Sequence, residues 1–95
     1  LKSKPTQHSV KELLSIGIQP DILVCRSDRA IPQSMKAKIA LFCNVSEDCV
    51  IENLNANSLY EVPLLLERKG LCEAVCKRLL LPTIKPDLCN WEAMV

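Results

Sequence analysis

Apolar residues recur along the chain with two different periods. Between His8 and Ile16, Val10, Leu13, Leu14 and Ile16 fall on one helical face, Ser9 stands in a capping position with Glu12 three residues on, and Gly17 ends the run. The spacing predicts a helix there, preceded by a polar loop or short extended stretch, LKSKPTQ, over residues 1–7. Asp21 to Cys25, DILVC, is instead a continuous run of branched apolar residues, the pattern of a central parallel strand covered on both faces. A charged loop, Arg26-Ser27-Asp28-Arg29, follows it. A second helix is expected from Ser34 to Phe42, with Met35, Ala37, Ile39, Ala40, Leu41 and Phe42 forming a broad apolar surface and Lys36 and Lys38 left outside it.

Beyond that helix, Asn44 to Cys49 reads as a turn followed by a short helix or extended link, and Val50 to Leu54 as a second, short strand. Asn53, Asn55 and Asn57 mark a loop, since Asn tolerates unusual backbone angles. Pro63 starts a helix through Lys69 that Gly70 closes, and Glu73 to Leu80 forms another, with Val75, Leu79, Cys72 and Cys76 inward. Pro82 and Pro86 bracket a linker, and Asn90 to Val95 reads as the first turn of a further helix. The class is α/β. Two strands are too few for a doubly wound sheet, so the segment is expected to supply one edge of a parallel sheet whose other strands precede Leu1.

Composition narrows the function classes. The 95 residues are 48% hydrophobic but only 3% aromatic, so the core must be aliphatic. Twelve Lys and Arg against eleven Asp and Glu give a formal charge of +1, which leaves no global field for nucleic acid or an acidic membrane; any phosphate recognition must be local. No apolar run approaches the ~20 residues that cross a bilayer. The chain begins with Leu and no signal-peptide pattern follows, so both ends are expected to be cuts within a longer polypeptide. Cys25, Cys43, Cys49, Cys72, Cys76 and Cys89 contain no CxxC pair, and His8 is the single histidine; they read as reduced, packed thiols of a cytosolic protein rather than as disulfides or zinc ligands.

The chain carries no Walker A loop, dinucleotide-binding glycine fingerprint, HExxH or nucleophile elbow, and self-contained catalysis is not expected. Its opening is more informative. Lys2 and Lys4 alternate, so an extended backbone would put both amines on one side, with Thr6 and Gln7 just before a helix N-terminus that favours anions. That is a credible triphosphate seat; the plainer reading is an exposed basic loop. Lys38 alone reads as a solvated lysine, Arg26 and Arg29 as phosphate ligands or partners of Asp28, and Trp91 as packing or an anchor.

Three stretches, LKSKPTQHSVKELLSIGIQPDILVCRSDR, IPQSMKAKIALFCNV and SLYEVPLLLERKGL, carry a specific resemblance over nearly the whole chain. They resemble the later half of the N-terminal amidoligase domain of the bacterial CTP synthase family. The resemblance implies that residues 1–95 are the C-terminal portion of that domain, part of a parallel-sheet, P-loop/Rossmann-like three-layer architecture with a helix-rich end. The P-loop half and the glutaminase domain would lie outside. It implies an ATP-dependent ligase that aminates UTP to CTP with glutamine-derived ammonia, with CTP as feedback inhibitor and Mg2+ bound outside this segment. Lys2, Ser3, Lys4, Pro5, Thr6, Gln7 and Lys38 then match the UTP and CTP site, and Leu54, Asn55 and Ala56 the edge that receives the ATP adenine. The implied setting is a cytoplasmic homotetramer, with the pyrimidine site at a subunit junction and neither nucleic acid nor membrane as partner. Ser3 stands where the family usually has Thr, and Asn55 and Asn57 where it has acidic residues. A non-catalytic nucleotide-sensing or assembly module, and a structural fragment without ligand, are the alternatives.

Overall fold

The computed structural model describes residues 2–83 and 85–95. In chain order its elements are α1 (Lys4–Ser15), β1 (Leu23–Ser27), α2 (Gln33–Cys43), β2 (Val50–Leu54), α3 (Val62–Arg68), α4 (Leu71–Arg78) and α5 (Cys89–Met94), with 3₁₀ turns at Glu47–Cys49 and Leu59–Glu61. The two strands are parallel and in direct register, from Leu23 opposite Val50 to Ser27 opposite Leu54. With α2 as the crossover they form a βαβ unit, since parallel neighbours need a long connection to bring the chain back.

The core joins α1 and α2 to this pair. Val10 from α1, Ile39, Ala40 and Cys43 from α2, and Val50 from β2 are buried together, with Leu23, Cys25, Met35 and Val45 packed against them. Adjacent strand residues point to opposite faces. Val50 and Ile51 are 3% and 2% exposed, so β2 is covered on both sides. β1 is not: Leu23 and Cys25 turn toward α2, whereas Val24 remains 50% exposed. The strand covered on both faces is therefore β2, contrary to the expectation for residues 21–25, and the first strand starts later, at Leu23. An unbroken apolar run establishes that a segment can be buried on both sides; what lies over it is decided by the neighbouring chain.

A second correction concerns the start. Residues 4–7 are helical rather than extended, and α1 opens on Ser3, not Ser9. Pro5 lies in the first turn, where a missing N–H costs nothing and φ is already set for a helix. Helix α1 ends where the glycine predicts: Gly17 takes φ +87°, and the Gly17 and Ile18 N–H groups bond back to the Leu14 and Leu13 carbonyls. Asn44 ends α2 in the same left-handed region, at φ 58°. The Gln19 side-chain amide donates to the carbonyls of Cys43 at 3.2 Å and Asn44 at 3.3 Å, tying the loop before β1 to the end of α2.

Candidate functional site

Helices α1 and α2 bring their N-terminal ends to one place. A cleft of about 570 Å³ lies there, lined from α1 and its approach by Lys2, Ser3 and Lys4 and from α2 by Pro32, Ser34, Met35 and Lys38. Its described lining holds three lysines and two serines and no carboxylate. Free N–H groups give each helix start partial positive charge. At α2 this is left uncompensated by the protein, because the N-cap residue is Pro32, whose side chain cannot cap, and no acidic residue stands in the first turn. Two positive helix ends and three flexible ammonium groups around one cleft suit a polyanion.

Of the residues singled out from the sequence, Lys2, Ser3, Lys4 and Lys38 meet at this cleft, and Pro5, Thr6 and Gln7 do not line it. The lysines meet because α1 starts beside α2, not because an extended chain alternates. Gln7 acts on Ser3 instead. Its side-chain amide donates to the Ser3 hydroxyl at 3.0 Å, and its backbone N–H to the Ser3 carbonyl at 3.0 Å, fixing a serine that is only 5% exposed. Leu54 ends β2, and Asn55 and Ala56 follow it at the carboxyl edge of the strands, where open α/β sheets bind ligands. Asn57 donates its backbone N–H to the Glu61 carboxylate at 3.2 Å, so a glutamate four residues on closes this loop.

Other candidates are placed by simpler contacts. Asp28 pairs with Arg29 at 3.7 Å on the open surface. The Ser27 hydroxyl bonds the Arg29 carbonyl at 2.6 Å and accepts its N–H at 3.2 Å, shaping the loop after β1. His8 faces Glu12 at 3.8 Å on the exposed side of α1. Trp91 is an anchor, donating its indole N–H to the Tyr60 carbonyl at 2.5 Å. Burial pushes the thiols of Cys25, Cys43 and Cys49 upward, which keeps them protonated and poorly nucleophilic. Among the described residues no group of three or more His, Cys, Asp or Glu side chains converges as a metal site, and no helix is long and apolar enough to cross a membrane.

The sequence reading missed Glu52. This residue lies in β2 opposite Cys25 and is 6% exposed. Its carboxylate accepts the Ile31 N–H at 2.9 Å and pairs with the Lys69 ammonium at 2.6 Å. The Ile31 N–H, with Lys69 after it, holds the carboxyl below the usual carboxylate range in spite of burial, which acts the other way. The available signal was a lone charge directly after Val50 and Ile51 in an apolar strand.

A family model described as CTP synthase N-terminus matches residues 1–81. The chain belongs to this family. It is similar to CTP synthases of Ruminiclostridium cellulolyticum and Symbiobacterium thermophilum, each 62% identical over all 95 residues. The CTP synthase of Nostoc punctiforme is 58% identical over the same span. The chain covers 18% of the length of each of the first two and 17% of the third, so it corresponds to a limited section of a CTP synthase. The parallel strand pair with its surrounding helices is consistent with the Rossmann-like amidoligase domain of that family.

Proposed function

We propose that this segment is the C-terminal portion of the amidoligase domain of a CTP synthase and supplies the triphosphate seat for UTP, shared by CTP in feedback. The observation that carries the reading is the cleft where Lys2, Lys4 and Lys38 surround two helix N-termini without a carboxylate among its described lining. In the proposed reaction, ATP phosphorylates the uracil 4-oxygen and glutamine-derived ammonia displaces the phosphate. The residues here bind and orient: the lysines neutralise the triphosphate, Ser34 and the free N–H groups of α2 offer hydrogen bonds, and Gln7 holds Ser3 in place. Fixing the triphosphate fixes the ring attached to it, which is how a remote contact aids a reaction elsewhere on the substrate.

The residues that would receive the ATP adenine are Leu54, Asn55 and Ala56. They lie at the end of β2, and with Asn at positions 55 and 57 that edge acts through backbone groups rather than charge. The Mg2+ that accompanies the nucleotides is proposed to be held by residues outside this segment. The proposed partners are the other half of the amidoligase domain, the glutaminase domain and further copies of the polypeptide in a homotetramer. Exposed Leu41 and Phe42 on α2 provide apolar surface for such contacts.

The test uses the complete polypeptide. Losing one charge-assisted contact weakens binding by about 1.5–3 kcal/mol, so Lys4→Ala and Lys38→Ala are each expected to raise the UTP KM and the CTP inhibition constant about tenfold or more. Unchanged affinity for both nucleotides would remove the assignment. A change in CTP inhibition alone would favour a sensing role over substrate binding.

A further inference from the structure

We propose that Glu52 is a positioning residue for the lysine cleft, an inference that rests on the polyphosphate reading above. A carboxylate 6% exposed in a strand is costly unless both oxygens are engaged, and here each has its own partner. One oxygen accepts the Ile31 N–H at 2.9 Å; the other meets Lys69, the residue just after α3, at 2.6 Å. Ile31 directly precedes Pro32, which lines the cleft and opens α2 without an N–H or a capping side chain of its own. The carboxylate therefore ties β2 to the wall of the cleft one residue before that wall begins.

The Lys69 side chain is 39% exposed, so water screens the pair, and the placement comes from the carboxylate's hydrogen bond to the Ile31 N–H. The register of Ile31 sets where the first turn of α2 presents Ser34 and, one turn on, Lys38. Two residues after Glu52, β2 ends at Leu54, where the adenine edge is proposed. One short strand thus holds both nucleotide edges in a common frame, and Glu52 is its connection to the pyrimidine side.

The experiment measures steady-state kinetics of the complete polypeptide with three variants. Glu52→Asp keeps the charge for Lys69 but withdraws the carboxylate from Ile31 by one bond. Glu52→Gln combined with Lys69→Met keeps an acceptor for Ile31 and removes the charge pair. Lys38→Ala reports on the cleft itself. Glu52→Asp is expected to raise the UTP KM about tenfold with kcat within about twofold, whereas the double variant stays within about twofold of the parent in both. An unchanged UTP KM in folded Glu52→Asp overturns the proposal, and so does a double variant impaired as much as Glu52→Asp. If Lys38→Ala raises the UTP KM while the Glu52 variants do not, only the positioning role falls. If Lys38→Ala also leaves it unchanged, the polyphosphate reading falls with it.

Discussion

Glu52 shows how a single side chain ties acid sensitivity to structure. Its folded carboxyl is held below the range near 4.3 that it would have in the unfolded chain. As pH falls through that range the unfolded chain takes up a proton which the folded chain still refuses, so stability declines; above it, the contribution is complete. Denaturant melts at descending pH are expected to show this loss in the parent and a shallower acid limb in Glu52→Gln, whose amide does not titrate. An equal acid limb in both would assign the loss to other carboxylates. At this scale the sequence was partly legible. Lys2 and Lys4 could be named from it, because local charge in a nearly neutral chain stands out, whereas Ser3 and Lys38 came only with the family resemblance. Glu52 could not, because its partners Ile31 and Lys69 lie 21 and 17 positions away and only folding brings them together.

Elements are bounded by backbone geometry, and here the left-handed positions do most of the bounding. Gly70 joins α3 to α4 at φ +85°, in open space where an added Cβ would meet nothing within 4 Å. The cost of a side chain there is conformational alone, and Gly70→Ala is expected to destabilise by about 1–2 kcal/mol, read as a lower denaturant midpoint with an unchanged slope. A neutral result would mean that the turn relaxes to negative φ. The same logic explains which boundaries were legible. Helix ends at Gly17 and Gly70 could be read directly, since a glycine after an apolar period has one common use. The start of α1 could not, because Ser3 and Ser9 both resemble caps and the choice falls to Pro5 in the first turn. The helix after Gly70 likewise begins at Leu71 rather than Glu73, since Gly70 itself serves as its N-cap residue.

The whole molecule is held by a modest set of long-range contacts. Arg78, ending α4, reaches Asp21 before β1 at 2.6 Å, but both groups are more than half exposed, so water screens the pair and it adds less than about 1 kcal/mol. Burial around α1, α2 and β2 carries the fold instead. The class and the two strand segments were legible from alternation between helical and strand periods, whereas the pairing of the strands and the open face at Val24 depend on chain packing that no local pattern records. Because this section spans 18% of its first two relatives and its proposed role is binding rather than bond-making, the 95-residue chain alone is expected to form no CTP from UTP, ATP and ammonia. Appearance of CTP in a radiolabel assay with the purified segment would reverse that division of labour.

The contact between Trp91 and Tyr60 has a practical corollary. Trp91 is the single tryptophan in these 95 residues, its ring centre 6.2 Å from that of Tyr60 and its indole bonded to the Tyr60 carbonyl. Tyr60 closes the loop that leaves β2 by way of Leu54 to Ala56. The segment therefore carries its own fluorophore, fixed to the loop through which the adenine edge would be felt. Its emission colour and quenching give an optical record of whether that loop and the terminal helix are joined, without any label.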